Sequence, residues 1–133
     1  MRIVVDGVPV AKGRPRMTRS GHTYTPEKTK EYEAKILGAY LSSQRDFFDS
    51  DTPLRVEMTV VLPIAESLSK REKIERENGE KKPTSRPDLD NYIKCLDALN
   101  GWAWHDDSQI VCIVAEKRYG KHPRMEIIIE EQV

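Results

Sequence analysis

The sequence predicts an α+β protein of one small domain, in which helices pack on one face of a mixed β-sheet. Segments of alternating apolar and polar residues, typical of half-buried strands, are interspersed with segments of helical apolar spacing. These segments follow the order β-α-β-(α)-α-β-β, which differs from the regular alternation of an α/β protein. A length of 133 residues suits a single domain spanning 1–133.

Composition narrows the class of protein further. Hydrophobic residues make up 38% of the chain and charged residues 33%, and this modest apolar content favours an oligomer. No apolar run approaches the roughly 18 residues of a membrane-spanning helix. The segment Met1–Asp6 is too short and too charged for a signal peptide, so we expect a cytoplasmic protein. Cys95 and Cys112 lack metal-ligand spacing and are predicted to be buried free thiols.

The N-terminal part of the chain predicts a strand, a loop and a helix. Arg2–Val10 has the alternation of a short strand, and Ala11–Thr23 has two glycines, four basic residues and no apolar period. Thr25 is placed as an N-cap and Pro26 as the first helical residue. The apolar stripe of this helix consists of Tyr32, Ile36, Leu37, Tyr40 and Leu41.

The middle of the chain predicts the strongest strand and a short helix. Leu54–Leu62 alternates strictly between apolar and polar residues until Pro63 ends it. The polar connection over residues 64–87 contains a helical patch at Lys70–Glu77, with Ser67 or Ser69 as its N-cap. A polar connection of this length inside a compact domain is more often functional than idle.

The C-terminal part predicts one long helix and a β-hairpin. Apolar residues recur at helical spacing over Asp88–Asn100, and Gly101 supplies a left-handed C-cap. The segments Gln109–Tyr119 and Arg124–Glu130 are predicted strands. The short link Gly120–Pro123 predicts that these two strands are adjacent and antiparallel.

Three carboxylates and a lysine lie around this second main helix. Asp88 is at the N-cap position, and Asp90 and Lys94 are four residues apart on one face. Asp107 follows the helix and meets the first two acids if the chain folds back across the sheet. Converging carboxylates resist full ionisation unless a cation lies between them, and Mg²⁺ prefers such oxygen ligands. Taken singly, a helix cap, a surface ion pair and a turn explain the same residues.

Basic residues are concentrated in two groups beside this motif. The net charge is zero, which argues against a nonspecific nucleic-acid binder, but a neutral total can hide a basic face. Arginine pairs well with phosphate oxygens. A solvated, mobile loop remains the alternative for the N-terminal group. The candidate contacts to a DNA backbone are Lys12, Arg14, Arg16, Lys81, Lys82 and Arg86.

These motifs resemble the RusA family of Holliday junction resolvases, which are found in bacteria and their prophages. The similarity covers nearly the whole chain. The residues that carry it are Asp88-Leu89-Asp90-Asn91-x-x-Lys94, Asp97-Ala98-Leu99-Asn100-Gly101, Trp104-x-Asp106-Asp107-Ser108-Gln109-Ile110, Pro9-Val10-Ala11-Lys12-Gly13-Arg14-Pro15-Arg16 and Tyr24-Thr25-Pro26.

The resemblance implies a homodimeric, Mg²⁺-dependent endonuclease, with Mn²⁺ as a substitute ion, that makes paired nicks across a four-way DNA junction during recombination and repair. It makes Asp88, Asp90 and Asp107 the metal ligands and Lys94 the catalytic lysine. The choice of Asp107 over Asp106 rests on the Asp-Asp-x-Gln register alone. One departure from some members is Pro87, where they have a basic residue before the first acid.

Two other functions fit the same residues. One is a related metal nuclease that acts on flaps or other branched DNA. The other is a non-catalytic DNA-binding or structural module, whose acidic residues only cap helices and pair with basic side chains.

Overall fold

A four-stranded mixed sheet organises the protein, as seen in a computed structural model that describes residues 1–133. Two further short strands form a separate small hairpin. The strands are β1 Arg2–Asp6, β2 Arg16–Met17, β3 Thr23–Tyr24, β4 Leu54–Leu62, β5 Ile110–Tyr119 and β6 Arg124–Glu131. The helices are α1 Glu27–Leu41, α2 Lys70–Glu77 and α3 Leu89–Ile93, with 3₁₀ helices at Lys94–Leu99 and Asp107–Gln109.

The order of the strands in the main sheet is β1-β6-β4-β5, with only β5 parallel to its neighbour β4. Strand β4 has the bounds that its alternation predicted, and its buried side chains, such as Val56 and Val60, face the helices. Alternate residues of β1 and β6 extend this apolar surface. The predicted α+β class, with helices on one face of a mixed sheet, is confirmed.

The predicted hairpin of β5 and β6 is wrong. Strand β4 lies between them, pairing in parallel with β5 and antiparallel with β6. The link Gly120–Pro123 passes over the end of β4, where the Gly120 amide donates to the Leu62 carbonyl over 3.0 Å. Crossing one strand requires about 10 Å, which four residues can span, so the length of the link did not distinguish the two arrangements.

The predicted helix Asp88–Asn100 is also wrong as a single α-helix. The α-helical part ends at Ile93, and residues 94–99 continue as a 3₁₀ helix. In a 3₁₀ helix residues three apart lie above one another, which directs Leu96 and Leu99 together into the core. Gly101 has φ +80°, in agreement with the predicted left-handed cap.

The N-terminal segment is more structured than its sequence indicates. Strand β1 ends at Asp6 rather than Val10, because Gly7 has φ +97° and turns the chain. The predicted loop 11–23 contains β2 and pairs it with β3. Helix α1 begins one residue later than predicted, with Pro26 as its N-cap and no side-chain capping bond.

The predicted N-cap of α2 and the predicted free cysteines are confirmed, with one difference in burial. Ser69 caps α2, since its Oγ accepts the Glu72 amide over 3.2 Å. Both cysteines are free; Cys95 is buried, whereas Cys112 is only partly buried. Trp104 is completely buried, and Trp102 is exposed. None of the helices is both long and apolar enough to cross a lipid bilayer.

Candidate active site

Asp88 occupies the N-cap position of α3, but its side chain makes no capping hydrogen bond. The residue is exposed, and its backbone carbonyl accepts the Asn91 amide over 3.1 Å. A helix-capping role therefore does not explain this carboxylate, which is left free at the start of α3.

Asp90 and Lys94 form the predicted pair on one exposed face of the helix. Lys94 Nζ lies 3.7 Å from Asp90 Oδ2 and 3.4 Å from Asn91 Oδ1. The side chains are 66% exposed at Asp90 and 58% exposed at Lys94. An ion pair this open contributes little to stability, so both groups remain accessible to a ligand.

Asp106 and Asp107 have different surroundings. Asp106 caps the 3₁₀ helix that begins at Asp107: its Oδ2 accepts the Ser108 amide over 3.0 Å, while its own amide donates to Gln109 Oε1. These bonds with Ser108 lower the pKa of Asp106. Asp106 is thus held by the local turn, which leaves Asp107 as the better ligand candidate of the two.

Asp107 is held against the core by Trp104, whose indole Nε1 donates to Asp107 Oδ1 over 2.8 Å. Burial raises the pKa of Asp107, the indole bond opposes this shift, and the neighbouring carboxyl of Asp97 reinforces it. Asp97 is therefore an acidic neighbour of the predicted third ligand from outside its own turn.

Lys12 makes two ion pairs in this region. Its Nζ lies 2.8 Å from Asp97 Oδ2 and 3.4 Å from Glu33 Oε1, and its side chain is 24% exposed. Its backbone amide donates to the Asn91 carbonyl over 2.8 Å. These contacts fix the segment 11–23, called the N-terminal arm below, beside α3, and they occupy the ammonium group that was predicted to contact DNA.

The arm and the loop before α3 enclose a cavity of about 560 Å³. Arg14 comes from the arm, Arg86 from the loop, and Asp88 and Asn91 from the start of α3. A second, smaller cavity of about 110 Å³ adjoins the arm and includes Lys12, Asn91 and Lys94. Two arginines and a free carboxylate thus line one space that is open to solvent.

The other predicted basic residues lie outside this cavity. Arg16 is exposed in β2, and Lys82 is exposed in the loop after α2. Lys81 Nζ lies 3.7 Å from Glu75 Oε2, and its side chain remains half exposed. The structure therefore places Arg14 and Arg86 next to the acidic motif, and Arg16, Lys81 and Lys82 at the surface.

The predicted metal ligands do not form a ready-made centre. No group of three or more acidic, histidine or cysteine side chains has the spacing needed to hold an ion. Asp90 and Asp97 are separated by seven residues of helix, a rise of roughly 10–14 Å. Asp97 is one of the carboxyls that raise the pKa of Asp107, so a fourth acid lies near the predicted third ligand.

Comparison with known proteins identifies the family. The family model described as Endodeoxyribonuclease RusA matches residues 6–130. The chain belongs to the RusA family. It is also 37% identical over 137 residues to YqaN, an uncharacterized protein of Bacillus subtilis strain 168, with 98% of this chain and 96% of the relative covered. Membership in the RusA family makes the protein an endodeoxyribonuclease of the class that acts on branched DNA, and it confirms the expected family.

Asp97 is a neighbour of the predicted site residues that the sequence analysis did not single out. Asp97 pairs with Lys12 and lies near Asp107, and these residues are far apart in the sequence. Local spacing therefore does not predict their contacts. One signal was available: Asp90, Lys94 and Asp97 follow one another at intervals of four and three residues, which places them along one helical face.

The donor chemistry of the acids suits a hard divalent cation. Asp88 and Asp90 are exposed carboxylates without strong hydrogen bonds, and Asp107 retains an oxygen beyond its bond to Trp104. Carboxylate oxygens are the side-chain ligands that Mg²⁺ and Mn²⁺ prefer. The residues therefore fit such an ion by their chemistry, and the two exposed side chains are free to turn towards it.

Proposed function

We propose that the protein is a Mg²⁺-dependent endonuclease that resolves four-way DNA junctions by paired nicks, with Mn²⁺ as a substitute ion. The observation that carries this proposal is the cavity shared by Arg14, Arg86 and the free carboxylate of Asp88. A phosphate held by two arginines beside carboxylates has the surroundings that phosphodiester hydrolysis needs.

Asp88, Asp90 and Asp107 would hold the cation. When bound, the ion supplies charge neutralisation at the scissile phosphate and lowers the pKa of an attacking water. Trp104 would keep Asp107 in one orientation through the indole hydrogen bond. Lys94 is held only loosely, 3.7 Å from Asp90, so its ammonium can turn to the phosphate and stabilise the negative charge that develops there.

The basic residues divide between two roles. Arg14 and Arg86 contact the phosphate at the cavity, and Arg16, Lys81 and Lys82 extend the binding surface along the DNA backbone. Lys12 acts differently, because Asp97 and Glu33 already occupy its ammonium group. We assign to Lys12 the holding of the arm against the helix.

A four-way junction has two strands to be cut at positions related by approximate two-fold symmetry. One chain offers one set of Asp88, Asp90, Lys94 and Asp107. A two-fold symmetric homodimer would present two such sets at once, which is the usual form of a symmetric oligomer. The enzyme would then work in the cytoplasm, in recombination and repair.

The deciding experiment measures Mg²⁺-dependent cleavage of a synthetic four-way junction by the wild-type protein and by Asp90→Asn. Asp90→Asn should lose cleavage and keep junction binding, because the amide preserves the size of the side chain and removes the ligand charge. The matched control is Asp6→Asn, on β1 at the opposite edge of the sheet from β5. It should cleave as the wild type does.

Substrate class is decided in the same experiment by adding three-way, flapped and linear DNA. Paired nicks on the four-way junction alone support the proposal. Equal cleavage of flaps would replace it by a general branched-DNA nuclease, and retained cleavage by Asp90→Asn would remove Asp90 from the metal site.

A further inference from the structure

The loop before α3, residues 82–87, is held to the rest of the protein by few polar contacts. Its residues are exposed apart from the buried Pro83. On one side, the Lys81 amide donates to the Glu75 carbonyl, and on the other, the Asp88 carbonyl accepts the Asn91 amide. Between these two points the hydrogen bonds made by the loop all come from one side chain, that of Lys117.

Lys117 reaches this loop from the edge strand β5. Its Nζ donates to the Ser85 carbonyl over 2.8 Å and to the Pro87 carbonyl over 2.9 Å. Lys117 pairs in register with the buried Val60 of β4, so its side chain projects from the helix-bearing face of the sheet. Both acceptors are backbone carbonyls, so the ammonium group of Lys117 holds the chain of the loop itself rather than a side chain.

The two carbonyls that Lys117 binds lie next to predicted site residues. Pro87 directly precedes Asp88, and Arg86 lies between the two carbonyls that Lys117 binds. Hydrogen bonds from a charged donor are among the stronger ones in proteins. Fixing both carbonyls limits rotation of the backbone that presents Asp88 and Arg86 to the shared cavity.

We propose that Lys117 is a positioning residue that fixes the loop 82–87, and thereby sets the placement of Asp88 and Arg86 at the metal and phosphate site. The inference rests on the proposed function for the role of these two residues, but the anchoring of the loop stands independently of it. Lys117 itself acts through the backbone and touches neither ion nor scissile phosphate.

The test compares the full-length wild type with Lys117→Met, which keeps the length of the side chain and removes its donors. Lys117→Arg is the conservative variant, since a guanidinium can donate to both carbonyls. Lys121→Met is the matched control: it removes one positive charge from a lysine that pairs with Glu77 instead. Circular dichroism verifies that every variant is folded.

The first measurement is the backbone amide order parameter of Ser85, Arg86 and Asp88 by nuclear magnetic resonance, without metal or DNA. Lys117→Met should lower these values from about 0.8 to below about 0.6, the range of flexible backbone. The arginine variant should restore most of the loss, and Lys121→Met should leave the loop unchanged.

The second measurement is the affinity for Mg²⁺ by calorimetry without DNA. Lys117→Met should weaken binding about tenfold, the equivalent of one hydrogen bond to a charged group. Cleavage should then require about tenfold more Mg²⁺ for half-maximal rate, while its rate at saturating Mg²⁺ changes little. Junction binding in metal-free buffer should weaken no more than it does in Arg86→Ala, because only the placement of that one phosphate contact changes.

Unchanged order parameters in Lys117→Met would overturn the inference. Weaker metal-free junction binding with an ordered loop would also overturn it, because Lys117 would then be a direct DNA contact. A loosened loop with no Mg²⁺ binding by any variant, including the wild type, would support the anchoring and refute the proposed metal site.

Discussion

Gly120 begins the link that carries the chain from β5 over the end of β4 to β6. A Cβ atom at this position would lie 2.5 Å from Val61 Cγ1. Carbon atoms normally approach to about 3.5–4.0 Å, so alanine would force a displacement of about 1 Å. Val61 is buried and cannot swing into solvent. We expect Gly120→Ala to destabilise the fold by about 1–3 kcal/mol, the usual cost of overpacking.

Urea denaturation followed by circular dichroism measures this change in the free energy of unfolding. In a thermal melt, the melting temperature should fall by roughly 3–10 °C. Gly38→Ala is the matched control. Gly38 lies within α1, and a Cβ there meets nothing within 4 Å. Alanine should therefore stabilise the protein at this position by about 0.5–1 kcal/mol, because glycine loses more backbone entropy in a helix.

A second variant isolates the contact. Val61→Ala removes the methyl group that would clash, so adding Gly120→Ala to it should cost much less than in the wild type. A Gly120→Ala protein as stable as the wild type would refute the close crossing over β4. It would then favour the simple hairpin, with β5 directly beside β6.

Four further outcomes are expected. Trp104→Phe removes the indole donor to Asp107, so cleavage should fall roughly 10- to 100-fold in the junction assay and the melting temperature should also fall. Replacing Arg14 and Arg16 together by alanine should weaken junction binding and flatten the plot of log affinity against log salt by about 1.8, as fluorescence anisotropy would show. Burial raises the pKa of Cys95 to about 11, so alkylation should spare it until the protein unfolds. Since this folded pKa exceeds the unfolded one, the stability that Cys95 contributes should be lost as pH rises from about 9 towards 11 in urea titrations.

Local patterns predicted the elements whose structure depends on near neighbours. The alternation over Leu54–Leu62 gave the bounds of β4, because a central strand buries every second residue, as β4 does from Leu54 to Val60. The bounds of α2 and its cap at Ser69, one of the two predicted caps, could be predicted for the same reason. The cap depends only on a hydrogen bond between one side chain and the amide three residues later.

Features that depend on contacts between distant residues could not be predicted from the sequence. The link Gly120–Pro123 is short enough for a hairpin and long enough to cross a strand, and the choice depends on which partner β5 meets in space. The change from α-helix to 3₁₀ helix at Lys94 likewise depends on the core, because spacings of three and of four residues both occur among the apolar positions there.

The same division applies to the candidate site. Asp88, Asp90 and Lys94 were proposed from their local spacing, and their roles stay predictions; the structure shows the expected pair of Asp90 and Lys94, which spans the change from α3 to the 3₁₀ helix. Asp97 and Lys117 were missed because each acts through partners distant in the sequence. Asp107 was expected beside Asp88 and Asp90, and this grouping stays a prediction; the structure adds Asp97 as a further carboxyl that influences Asp107.

The edge strand β5 links Asp107 to the loop that precedes Asp88. Asp107 lies just before its first residue, and Lys117, near its end, holds the loop that leads into Asp88. The parallel pairing of β5 with β4 fixes the face of the sheet from which Lys117 projects. A slip of one residue in this pairing would turn Lys117 to the opposite face of the sheet and release the loop. The link at Gly120 crosses the end of β4 and stabilises the order β6-β4-β5. It therefore influences the site, although it lies outside the site.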